Sequence, residues 1–97
     1  MADMQFLEEL RDFLREERVI YTVRKYKMAP KLVHVEGVGS CRRVPMGEIT
    51  GAGDLAPYYT YSGFPTMGDW WAKVRSFIAP GEPMYLYRVE VEEEDAP

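Results

Sequence analysis

Six cations fall between residues 24 and 43: Arg24, Lys25, Lys27, Lys31, Arg42 and Arg43, with Tyr26 set among the first three. Ammonium and guanidinium groups neutralise phosphates, and an aromatic ring stacks on an unpaired base, so this mixture is what a groove for single-stranded nucleic acid requires. The same residues would equally suit a solvated edge strand guarded by lysines against pairing with other chains. Strand alternation puts Lys25 and Lys27 together and Arg24 opposite, and a bent strand could bring Arg42 and Arg43 alongside. Arg24 has apolar strand neighbours, so a half-buried guanidinium there needs an anionic ligand or a carboxylate, for which Glu48, Asp54 and Asp69 are candidates.

A second group of candidates lies further along. Tyr58, Tyr59, Tyr61 and Phe64 could stack on bases and Ser62 could donate to a phosphate, although tyrosines with buried faces and wet hydroxyls also make ordinary core edges. Trp70 and Trp71 are adjacent on a helix and point about 100° apart, so at most one sits centrally in a core. His34, in an apolar strand, reads as a packing residue. Cys41 beside Arg42 and Arg43 could be acidified, but no base is near it in sequence, and neither residue forms a nucleophile pair. One cysteine and one histidine leave no internal disulfide and little prospect of zinc. No cofactor is expected.

These side chains need elements to hold them. Phe6, Leu7, Leu10, Phe13 and Leu14 recur at helical spacing and predict an amphipathic helix over about residues 4–17. Residues 19–24 are dense in β-branched and aromatic types and predict a strand, expected to be central. Pro30 breaks it, residues 32–44 read as one bent strand or two short ones around Gly37 and Gly39, and residues 45–57 read as an irregular connection. Thr66 and Asp69 form a variant capping box before a second helix carrying Trp70, Trp71, Val74, Phe77 and Ile78. Residues 84–91 alternate as a final strand, and residues 92–97 form an acidic tail expected to fray. This order gives an α+β class with antiparallel or mixed strands, which would bury best by curling into a small barrel flanked by two main helices.

Ninety-seven residues allow one core, so residues 1–91 are expected to form a single domain. No apolar run approaches the length of a membrane span and the N-terminus lacks a secretory pattern, which makes the cytoplasm the default compartment. The net charge of −4 opposes nucleic acid only as an average. From Arg11 to Arg43 nine Lys/Arg face four acids, whereas residues 44–97 hold three Lys/Arg against nine acids. A chain divided this way can present a basic face.

Three segments together resemble an ASCH domain of the PUA-like superfamily: Glu17–Arg24, which is similar to the signature written G-x-K-x-x-E-x-R; Ser62-Gly-Phe64 with the following Pro65–Trp70; and the closing strand Met84–Val91. Arg24 falls on the signature arginine, at the mouth of the barrel cleft in that family. The resemblance implies a PUA-like barrel and an RNA-binding module with Arg24 at its cleft; joined to the charge and aromatic pattern above, it leads to the expectation that Arg24, Lys25, Tyr26, Lys27, Arg42, Arg43, Ser62 and Phe64 contact the nucleic acid. The family also contains acetylcytidine amidohydrolases, and Thr22 falls where they carry threonine, with Glu48 a candidate acid. Val19 replaces their lysine and cannot move a proton, and Glu17 replaces the glycine. A protein-binding adaptor, docking a partner on exposed aromatic rings, is the third alternative.

Overall fold

The computed structural model describes residues 2–92. In chain order the elements are strand β1 (Ala2–Asp3), helix α1 (Glu8–Glu17), strands β2 (Val19–Arg24), β3 (Lys31–Val35) and β4 (Gly39–Ile49), a 3-10 helix (Ala52–Tyr61), helix α2 (Met67–Phe77) and strand β5 (Met84–Val91). The strands form one mixed sheet in the order β1-β3-β4-β5-β2, with β1 parallel to β3 and every other pair antiparallel. The sheet is open, with β1 and β2 at its edges. The α+β class stands, and β2, expected in the middle, is instead an edge strand.

The sheet is the middle layer, and strand alternation divides its side chains between two cores. Leu14 of α1 packs with Ile20, Val33, Val35, Cys41 and Val89 on one face. On the other, Trp70, Val74 and Ile78 of the α2 segment and Leu55 of the 3-10 helix pack with Ile49, Met84 and Leu86. A chain of this size needs both, because neither face can be left in water.

Three local departures have physical reasons. The N-terminal helix starts at Glu8 rather than near residue 4, because Ala2 and Asp3 pair with Val33 and His34 and Met4 N–H continues that ladder to the His34 carbonyl at 2.9 Å. Pro45, read as the start of a loop, lies inside β4. Glu92 N–H bonds the Ser40 carbonyl at 2.9 Å, which fixes the alternation: even-numbered residues of β4 up to Val44 bond to β5, and odd-numbered ones bond towards β3. The N–H that Pro45 lacks would therefore face past the start of β3 at Lys31, where no ladder bond is forfeited. A register shift between Pro45 and Gly47, with Gly47 at φ 121°, lets the strand run on to Ile49. The third departure is the stretch expected to be irregular, much of which winds into the 3-10 helix.

Thr66 caps α2 as its sequence suggests, its hydroxyl accepting from Asp69 N–H at 3.0 Å. Gly63 sits at φ 84° with an added Cβ 2.7 Å from Leu10 Cδ2, so the Ser62-Gly-Phe64 turn packs against α1 where no other residue fits without strain. Residues 93–97, most of the expected acidic tail, lie outside the described residues.

Candidate nucleic-acid interface

Strand β2 sets the site. Its alternation sends Ile20, Thr22 and Arg24 to the α1 face and Tyr21 and Val23 to the α2 face, and beyond Arg24 the chain leaves the sheet. The departing loop is tied down twice. Tyr87 Oη accepts from Met28 N–H at 2.6 Å and donates to the Tyr26 carbonyl at 2.8 Å. Arg43 donates to the Ala29 carbonyl through Nε and Nη2 at 3.2 and 3.1 Å, and its Nη1 reaches Met28 Sδ at 3.3 Å. Across from this loop, α2 presents Lys73 and Phe77, one turn apart, with the ammonium 5.3 Å from the ring centre.

Between the loop, α2 and the segment leading into α1 opens a cleft of about 570 Å³. Its volume falls within the range of small-molecule sites. Phe6, Tyr26, Phe64, Trp70 and Phe77 supply aromatic surface, Arg24, Lys25 and Lys73 supply positive charge, and no carboxylate among the described residues lines it. Tyr26 and Phe77 are the most exposed large apolar side chains among the described residues, at 65% and 64%. Two exposed rings at one opening form an apolar surface on which a planar ligand could stack.

Arg24 is the cleft cation most withdrawn from water, and no carboxylate among the described residues pairs with it. Its Nε donates to Thr22 Oγ1 at 3.2 Å, its Nη2 donates to the Gln5 carbonyl at 2.8 Å, and the guanidinium lies 4.8 Å from the centre of the Phe6 ring. Burial, and secondly the charge of Arg43, lower its pKa from the ordinary arginine value. Arginine stays protonated regardless, so the direction records a charge held partly out of water without an anion beside it. The suggested carboxylate partners are engaged or placed elsewhere. Thr50 donates to Asp54 Oδ2 from its N–H at 2.8 Å and its hydroxyl at 3.0 Å, Asp69 is exposed in the first turn of α2, and Glu48 is exposed on β4 opposite Tyr85. Lys25 has a distant carboxylate, Glu82, at 4.0 Å, from outside the lining.

Of the residues singled out from sequence, Thr22, Arg24, Lys25, Tyr26 and Phe64 meet in this cleft. Lys27 is exposed outside its lining. Arg42 lies on β4 and pairs with Glu92 at 3.0 Å. Arg43 is buried at 7% exposure and spends its donors on the loop, so it shapes the rim without facing a phosphate. Ser62 is buried and its hydroxyl accepts from Phe64 N–H at 3.2 Å, which removes it from a phosphate's reach. The tyrosines are structural: Tyr58 packs on Tyr21 with ring centres 4.9 Å apart, Tyr61 meets Phe13 edge-on at 6.5 Å, and Tyr59 Oη donates to the Pro65 carbonyl at 2.9 Å. Thr22 and Glu48 are not brought together, since β5 lies between their strands and Glu48 is absent from the cleft.

Sequence reasoning missed Phe6, Lys73 and Phe77. The i, i+4 spacing of Lys73 and Phe77 was a usable signal, because it puts a cation and a ring on one flank of α2 beside the core stripe of Trp70, Val74 and Ile78. His34, expected to pack, is exposed on β3 near the Arg11–Glu36 ion pair of 3.5 Å. Cys41 is buried, and burial raises its thiol pKa more than the charge of Arg18 lowers it, so it is not acidified. Among the described residues no group of three His, Cys, Asp or Glu could hold a metal, and no helix is long and apolar enough to cross a membrane. No protein-family profile, curated protein or solved structure matches the chain.

Proposed function

We propose that this chain is an RNA-binding domain that takes an unpaired stretch of RNA into the cleft between β2, α2 and the Gln5–Leu7 segment. Arg24, Lys25 and Lys73 neutralise phosphates, and Tyr26 and Phe77 offer faces on which bases stack. The observation that carries this reading is the composition of the lining: cations and rings on one concave surface, with no acid among its described residues. The likeness of residues 17–24, 62–70 and 84–91 to ASCH domains points to the same ligand class, and in that reading the open five-stranded sheet stands where PUA-like domains have a small barrel. Single strands suit the site better than duplex, because a net charge of −4 repels a long phosphate surface while one cleft can still grip a few nucleotides.

No observation favours the hydrolase alternative. A threonine nucleophile needs a base, and Thr22 Oγ1 instead accepts from the Arg24 guanidinium at 3.2 Å, a group that cannot take its proton. Fluorescence anisotropy of a labelled single-stranded RNA across a salt series tests the proposal. Three phosphate contacts predict a log–log salt slope of about −2. Absence of binding at low salt, or tighter binding of duplex than of single strand, would overturn it.

A further inference from the structure

The free edge of β2 adds a feature that charge and aromatic surface do not explain. Val91 N–H bonds the Arg18 carbonyl at 2.9 Å, which sets the phase of the β2–β5 ladder. Ile20, Thr22 and Arg24 therefore direct their main-chain groups to β5, and Val19, Tyr21 and Val23 direct theirs away from the sheet. The N–H and C=O of Val23 have no hydrogen-bond partner among the described residues, and Val23 lines the cleft. An unpaired strand edge pairs readily with whatever presents a matching donor and acceptor.

We infer that Val23 reads one unpaired base through its main chain, its N–H donating to a ring nitrogen or carbonyl of the base and its C=O accepting from the adjacent N–H, so that the base occupies the place of a sixth strand. This rests on the RNA reading above and specifies how a base is held. A nucleobase fits better than a peptide strand because the part of the open edge that lies inside the cleft is short. The cleft follows β2 only from Thr22 onwards, and Tyr21, the next outward residue, lies outside it with its ring against Tyr58. A peptide strand gains affinity from several successive main-chain pairs, whereas the Watson–Crick edge of a base needs one donor and one acceptor side by side. Tyr26 and Phe77 at the opening and Lys25 and Lys73 beside them then meet the faces and flanking phosphates of the same nucleotide.

Amide NMR spectra of the unaltered 97-residue chain test this without a substitution. Hexamers of U, C and A are titrated separately, and the tightest binder is compared with its counterpart methylated on the Watson–Crick edge: N3-methyluridine, N4,N4-dimethylcytidine or N6,N6-dimethyladenosine. The Val23 amide is expected to shift on binding while those of Thr22 and Arg24 move little, and methylation is expected to weaken binding about tenfold. If RNA binds but the Val23 amide stays in place, or if methylation leaves affinity unchanged, the inference fails while the RNA reading survives. If no hexamer binds, both fail. A strand-forming peptide that displaces the RNA and shifts Tyr21 and Val23 together would assign the edge to a protein segment and overturn the inference.

Discussion

The middle of the sheet and its β2 edge treat their cations in different ways. On β4 Arg42 is paired with Glu92 and Arg43 is spent on the Ala29 carbonyl, and on α1 Arg11 is paired with Glu36. At β2, Arg24 has a carbonyl, a hydroxyl and an aromatic face but no carboxylate among the described residues, and Lys73 and Lys25, the latter 4.0 Å from Glu82, share its cleft. Matched charges of the first kind consume their own binding capacity, whereas a partly desolvated, unmatched guanidinium retains it for a ligand. A count of cations along the chain cannot see this, because it depends on where the acids end up.

The comparison breaks most visibly if the cleft side is not built on its own core. Trp70 is buried beneath the cleft, and Trp70→Ala is expected to cost about 3–5 kcal/mol by chemical denaturation. A loss below 1 kcal/mol would mean that α2 is only loosely attached and that the cleft has no fixed wall. The two guanidiniums on the α1 face sharpen the contrast next. Arg43→Met should lose about 1–2 kcal/mol, since it releases the Met28–Ala29 loop. Arg24→Met should stay within about 1 kcal/mol of the parent, because a poorly compensated charge is exchanged for apolar packing. Thermal melts that reversed this order would make Arg24 the structural arginine.

Smaller effects are expected at the surface. Arg42→Ala removes an exposed pair with Glu92 and should change stability by less than about 1 kcal/mol. Asp54 gives the smallest effect: the backbone N–H and then the hydroxyl of Thr50 lower its pKa, so folding favours the carboxylate. The stability this adds is present above the unfolded value of about 3.9 and is lost as pH falls through the lower folded value. Following the Thr50 amide by NMR through an acid titration should show its bond to Asp54 surviving pH 4 and breaking below it; loss at higher pH would contradict the assigned bond.

Much of the scaffold was legible from local pattern. The strand at 19–24, the closing strand at 84–91 and the Thr66 cap each follow from spacing and chemistry confined to a few residues. The position of β2 at an edge was not, because sheet order depends on pairings far apart in sequence, and β5 pairs with both β4 and β2. Pro45 misled for a related reason: its missing N–H matters only if a neighbouring strand faces it, and β3 starts too late to do so. Within the site, Arg24, Lys25 and Tyr26 could be grouped because they are consecutive. Lys73 and Phe77 join them only through the packing of α2 beside β2, and Arg42 and Arg43 part company because neighbours on a strand face opposite ways.

The central claim is that binding capacity resides in the cations of the cleft, Arg24 foremost, and not in the basic residues of β4. RNA affinity measured by fluorescence anisotropy for Arg24→Met and Arg42→Ala, at one low salt concentration and with both variants confirmed folded, tests it most directly. The expected result is a loss of at least about tenfold for Arg24→Met and a change within about twofold for Arg42→Ala. Equal losses, or a greater loss for Arg42→Ala, would contradict it.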